Sequence, residues 1–200
     1  MNTFFTSDVH FGHTNILKKF CPETRQGADA NEMNERIIAN WQATVKSEDT
    51  VWLLGDIFFI DDERKCRRIL ERLPGQKMLI FGNHDKIIRK NHSLRDYFVA
   101  TFEWADIMLT APGQEYGPMQ RVILHHYPTY EWKDMHKGSF HLYGHIHSRY
   151  GEKEHRFVTG RAMDVGIDSR PNKDMTLWSW REVYSILSKR KIRGHHEAEL

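Results

Sequence analysis

Residues 77–85 read KMLIFGNHD. The apolar run Lys77–Phe81 has the length of a buried strand, and it stops at Gly82-Asn83-His84-Asp85. A Gly-Asn pair alone is ordinary turn chemistry. The stretch becomes decisive because the same event recurs along the chain. Asn2–Ser7 runs into Asp8-Val9-His10, and Thr50–Leu54 (TVWLL) ends in Gly55-Asp56. Gln120–Leu124 (QRVIL) ends in His125-His126, and Phe140–Tyr143 (FHLY) ends in Gly144-His145-Ile146-His147. Each predicted strand delivers Asp, Asn or His at its C-terminal edge, where α/β sheets hold their sites on rigid scaffolding.

Helical patterns fill the intervals. Met33, Ile37, Trp41 and Val45 recur every four residues, Ile38 widens the stripe, and Asp29 or Asn31 caps it, which predicts a helix over Asn31–Lys46. Asp61 and Asp62 start a second helix with Cys66, Ile69, Leu70 and Leu73 on one face, and Pro74-Gly75 stops it. A short helix after Asp85, a strand near Ala105–Leu109, a turn at Pro112-Gly113, a strand over Met163–Ile167 and a last helix over Trp180–Leu187 complete an α/β alternation. With 200 residues, one domain over 1–188 is expected. Residues 189–200 read as a charged C-terminal tail, frayed and solvated, including Lys189-Arg190-Lys191.

Hydrophobic residues make up 40% and charged residues 28%, a globular composition with surface enough to bury a core unaided. The net charge of +2 does not call for stable nucleic-acid binding, and no apolar run approaches the ~20 residues of a membrane span. The N-terminus starts directly as a strand and has no signal-peptide pattern. Two cysteines, Cys21 and Cys66, form neither a disulfide framework nor a thiolate zinc site, which points to a reducing cytoplasm. The unusual count is 13 histidines.

In extended backbone, side chains at i and i+2 share a side, so Asp8 with His10, and His145 with His147, each reach one centre. The plain alternative for Asp8-Val9-His10 is a surface turn. An Asp after five apolar residues, as at Asp56, needs a cation or several donors, or else caps the next turn. Asn83 offers a neutral oxygen, His84 titrates near neutrality, and Asp85 is placed to orient that imidazole. Mixed imidazole, carboxylate and amide ligands without thiolate suit borderline divalent ions such as Mn²⁺, Fe²⁺, Ni²⁺ or Zn²⁺.

The ordered series Asp-x-His, Gly-Asp, Gly-Asn-His-Asp, His, Gly-His-x-His resembles the calcineurin-like metallophosphoesterase superfamily, in a small form of bacterial or phage type. The intervals fit, and the closing DVGID (Asp164–Asp168) is similar to the family as well. The resemblance implies an αββα four-layer sandwich: two mixed β-sheets face to face, flanked by helices. It implies two metal ions, one held by Asp8, His10, Asp56 and His147 and the other by Asp56, Asn83, His126 and His145, with Asp56 bridging. His84 then stands beside the phosphate without ligating metal. Of the histidine pair, the family pattern selects His126; neighbouring strand residues face opposite sides, so His125 turns away.

The implied activity is hydrolysis of phosphodiesters or phosphomonoesters by a metal-bridging hydroxide, with nucleotides or other small phosphoesters as substrates. The alternatives are a dinucleoside polyphosphate hydrolase, a nuclease, or a metal-bound scaffold without activity. Protein phosphatases of the superfamily carry an Asp-Arg-Gly element after the bridging Asp; Ile57-Phe58-Phe59-Ile60 lacks it. His13 and Arg149 are the candidate substrate-binding residues. His13 otherwise caps the helix of Ile16, Leu17 and Phe20, while Arg149, with Lys153 and Arg156, otherwise belongs to a solvated hairpin. Tyr127, Tyr130 and Trp132 are candidates for packing or for stacking on a base.

Overall fold

The computed structural model describes residues 1–114, 116–148 and 159–194. In chain order its strands are β1 (Thr3–Thr6), β2 (Thr50–Leu53), β3 (Gln76–Ile80), β4 (Ala100–Phe102), β5 (Trp104–Thr110), β6 (Met119–His125), β7 (Phe140–Tyr143), β8 (Ala162–Asp164) and β9 (Trp178–Ser179). The helices are α1 (Ala30–Thr44), α2 (Glu63–Leu70), α3 (Lys86–Lys90), α4 (His92–Arg95) and α5 (Trp180–Leu187). One sheet has the order β4-β3-β2-β1-β9, the other β5-β6-β7-β8. Both are mixed: β9 runs antiparallel to β1, and β5 antiparallel to β6, while the remaining pairs are parallel.

Alternation along β1 to β3 divides the core in two. Phe4, Val51, Leu53 and Leu79 face α1 and α2, meeting Met33, Ile37, Ile38, Trp41, Cys66 and Leu70. Phe5, Trp52, Leu54 and Ile80 face the second sheet, meeting Val122, Leu124, Phe140 and Leu142. Each such aliphatic or aromatic side chain contributes about 1.5–3 kcal/mol relative to exposure. The expected sandwich of two mixed sheets with flanking helices is therefore present. Its layers are unequal. Helix α5 sends Trp180, Val183 and Leu187 into the core between the sheets. Outside the second sheet, Trp132 covers His141 with ring centroids 5.3 Å apart.

Local signals set most boundaries. Asp29 caps α1 by accepting from the Asn31 and Glu32 amides, and Asp62 caps α2 in the same way. The strand expected over Met163–Ile167 ends early, because Asp164 accepts from the Gly166 amide at 2.7 Å and turns the chain into a 3₁₀ turn at Ile167–Ser169. Strands β4 and β9 escaped the sequence reading, being too short to show alternation. The tail is not frayed as far as Gly194. Arg190 donates to the Ala162 carbonyl, and the Arg193 guanidinium lies 4.1 Å from the Tyr130 ring centroid. Cys21 and Cys66 are free and buried. Among the described residues no helix is long and apolar enough to cross a membrane.

Candidate metal centre

The C-terminal ends of β1, β2, β3, β6 and β7 open into one crevice across both sheets. The backbone ties them together: the Asp8 amide donates to Gly55 and the Gly144 amide to His126, both at 2.9 Å. Two groups of side chains bring ligand atoms within 4.8 Å of one another there, Asp8–His10–His147 and Asp56–His126–His145. Asn83 joins the second, its Oδ1 lying 3.0 Å from His126 Nε2. Asp56 faces both groups, with Oδ2 3.8 Å from His10 Nε2 and 3.5 Å from His126 Nε2.

These side chains do not come together by extended alternation, as the i, i+2 reading expected. Asp8, His10, Asp56, His145 and His147 all have positive φ, between 51° and 70°. Such left-handed backbone is uncommon outside glycine and persists only where surrounding contacts hold it. Asp85 supplies one restraint. Its buried carboxylate accepts from the amides of Asp56, Ile57 and Gly82 at 2.8–2.9 Å, pinning the turn after β2 to the turn after β3. The expectation that Asp85 orients His84 is thereby corrected: its oxygens are committed to backbone. The motif glycines answer the same crowding. A Cβ on Gly144 would stand 1.9 Å from Ser7 Oγ and 2.4 Å from Asp8 Oδ2, and one on Gly82 2.2 Å from Asp56 Oδ1.

Each carboxylate uses one oxygen for the scaffold. Asp8 Oδ2 accepts from the His145 amide and Asp56 Oδ1 from the His84 amide, both at 2.8 Å. The other oxygens face the histidines. His126 Nδ1 lies 2.7 Å from the Leu54 carbonyl, which only accepts, so Nδ1 carries the hydrogen and Nε2 presents a lone pair. That lone pair, Asn83 Oδ1 and Asp56 Oδ2 are three acceptors converging on one point. In the other group, buried Asp8 Oδ1 and both His10 ring nitrogens have no hydrogen-bond partner. Such groups are costly to bury unless a cation lies between them, and the donor set fits divalent ions.

The electrostatics agree. Burial, ahead of the neighbouring charges, pushes the Asp8 carboxyl up to about 7, and burial drives the His10 imidazole far below its usual range. Burial also opposes charge on His147, yet hydrogen bonds to Asp168 and Cys21 and the charge of Asp8 lift it to about 10. His147 Nε2 lies 3.8 Å from Asp8 Oδ1, and a cation between them would relieve the same burial of charge.

Behind this group lies a network that sequence reasoning missed. Arg25, though buried, donates to the carbonyls of Asp8 and Val9 and to both oxygens of Asp168. Asp168 in turn accepts from His147 Nδ1 at 2.8 Å, fixing the ring and leaving Nε2 for the centre. Cys21, His147 and Asp168 also lie within the ligand distance. With His147 Nδ1 bonded to Asp168, that trio orients the histidine.

The remaining candidates fall in different places. His84 is exposed at the mouth, its ring centroid 5.5 Å from that of His10. His125 turns away from the crevice and bonds the Tyr127 carbonyl through Nδ1 at 3.0 Å. His13 does not cap the following π-helical turn (Ile16–Phe20), whose cap position is Asn15; its ring stacks on Phe59 at 3.8 Å. Tyr127 lies beside the site, 4.7 Å from the His145 ring, whereas Trp132 packs on His141 and Tyr130 under Arg193. Arg149, Lys153 and Arg156 lie outside the described residues.

Residues 1–149 match the family model described as calcineurin-like phosphoesterase. The Gene 66 protein of Mycobacterium phage L5 is 30% identical over 94% of this chain and 94% of its own length. The Gene 66 protein of phage D29 is also 30% identical, over 84% of this chain and 88% of its own. Among solved structures, a protein of unknown function from Aquifex aeolicus superposes with a TM-score of 0.65 at 27% identity, covering 92% of this chain and 98% of that one.

Proposed function

The chain belongs to the calcineurin-like phosphoesterase family, and on that premise we propose that it is a dinuclear metal-dependent phosphohydrolase acting on phosphodiester or phosphomonoester bonds of nucleotides or other small phosphoesters. The observation that carries the reading is the position of Asp56 Oδ2, within 3.8 Å of His10 Nε2 and 3.5 Å of His126 Nε2. One carboxylate oxygen shared between two ligand groups suits two adjacent ions, Mn²⁺ foremost. Asp8, His10 and His147 would complete one site, and Asn83, His126 and His145 the other. When bound, two such ions supply a polarised phosphoryl group and a water of lowered pKa.

The chain's own residues divide the rest of the work. Asp56 Oδ1 is held by the His84 amide, so one turn both orients the shared ligand and presents the His84 imidazole at the mouth. From there His84 would hand a proton to the departing oxygen or stabilise phosphoryl charge, while Arg25 and Asp168 keep His147 aimed. The test assays chain carrying two equivalents of Mn²⁺, and metal-free chain, against p-nitrophenyl phosphate, bis-p-nitrophenyl phosphate and nucleoside esters. Metal-dependent hydrolysis is expected. His84→Ala should keep its metals and lose ~10²–10⁴-fold in rate on nucleoside esters, with a smaller loss on p-nitrophenyl esters, whose leaving group needs little protonation. Full metal occupancy without hydrolysis of any phosphoester would overturn the reading.

A further inference from the structure

Three rings form a shelf beside the candidate metal centre. Phe59 follows the Asp56 turn, and its centroid lies 5.1 Å from that of His84 and 6.0 Å from that of His10. His13 stacks against it at 3.8 Å and 8°, and Phe20 continues the row 6.0 Å beyond His13. Yet Phe59 is 46% exposed and Phe20 42%. His13 covers one face of Phe59, so the exposed area is the opposite face and rim, adjoining His84. Beside a polar centre, a phenylalanine backed on one face by His13 and nearly half exposed is placed to receive a flat group on its open side.

We propose that this shelf binds the planar group of the substrate, the nucleobase of a nucleotide ester, by stacking it on Phe59. The proposal rests on the phosphoesterase reading and adds the feature by which substrates are chosen. Phenylalanine offers no hydrogen-bonding group, and His13 Nδ1 is buried without a partner. The shelf therefore reads planarity rather than base identity, since every base has a π-face. Purine and pyrimidine nucleotides should both be accepted, ranked by stacking area, while sugar phosphates without a base should not gain from it.

Calorimetric titration of the Mn²⁺-loaded protein with inorganic phosphate, ribose 5-phosphate and a nucleoside 5′-monophosphate tests this through binding. The nucleotide should bind about 5- to 150-fold more tightly than ribose 5-phosphate, the range that ~1–3 kcal/mol of stacking implies at 1.4 kcal/mol per tenfold. Phe59→Ala should bring the two to within about twofold, and Phe59→Trp should preserve the gap. Equal affinity of nucleotide and ribose 5-phosphate in the native chain, or a gap that survives in Phe59→Ala, overturns the shelf while phosphate binding keeps the phosphoesterase reading. Absence of binding by all three probes overturns both together.

Discussion

Arg25 and Asp168, 143 residues apart, close on each other through hydrogen bonds of 2.8 and 2.7 Å in a buried site. Burial works against the Asp168 charge, but the Arg25 guanidinium and the bond from His147 hold its carboxyl well below the usual range. Arg25→Ala leaves that buried carboxylate only the bonds from His147 and Thr24, which should cost about 3–5 kcal/mol in chemical denaturation of the metal-free chain. Asp168→Asn keeps the shape but weakens the orientation of His147. The affinity of the Asp8–His10–His147 group for Mn²⁺ should fall about 10- to 100-fold in titration against a chelator. Unchanged affinity would remove Asp168 from the support of the metal.

The proposed bridge predicts different behaviour for Asp56 and Asn83. Asp56→Asn should lower occupancy at both groups, because Oδ2 faces His10 and His126 alike. Asn83→Ala should empty only the side of His126 and leave about one equivalent of Mn²⁺ by elemental analysis. Equal metal content in the two variants speaks against the bridge.

Adjacent histidines should behave oppositely. His126 is fully buried between the Leu54 carbonyl and Asn83, whereas His125 bonds the Tyr127 carbonyl outside the crevice. His126→Ala should abolish Mn²⁺-dependent hydrolysis and lower occupancy. His125→Ala should keep both metals. Loss of metal in His125→Ala alone would show the assignment to be one residue out of register.

Away from the metal centre, His141 gives a pH dependence. Burial lowers its imidazole from 6.5 to about 4. Unfolded, it takes its proton near pH 6.5; folded, only near pH 4. Between those values the unfolded chain binds one proton more, so stability rises with pH. The contribution is complete above pH 6.5 and is lost as pH falls towards 4, a total of about 3 kcal/mol. Denaturation of His141→Gln from pH 7 to 4 should show a slope shallower by about 1.4 kcal/mol per pH unit. An unchanged slope would mean that His141 is charged in the fold.

The strand ends and the candidate ligands at them were legible in the chain, because each is a local event: an apolar run, often a glycine, then a polar side chain. Helices α1 and α2 were legible for the same reason, their stripes and Asp caps lying within one or two turns. Strand alternation also put His125 and His126 on opposite sides, while the choice of His126 between them rested on the family resemblance.

Tertiary structure decided what those local events add up to. The i, i+2 reading picked residues that the fold brings together, but for a reason the fold does not use: Asp8, His10, His145 and His147 converge through left-handed turns, not extended backbone. Those turns stand because distant groups hold them: Asp85 on the Asp56 amide, Asp8 on the His145 amide, and Arg25 on the Asp8 carbonyl. Asp85 read locally as a partner of its neighbour His84, and Asp168 as the end of a motif; each spends its oxygens on partners elsewhere in the chain. Sequence by itself determined which side chains stand at the strand ends, because composition and period are properties of neighbours. Their aim was decided only by the fold, because a buried carboxylate satisfies its oxygens with whatever donors packing brings within 3 Å, however far along the chain they lie.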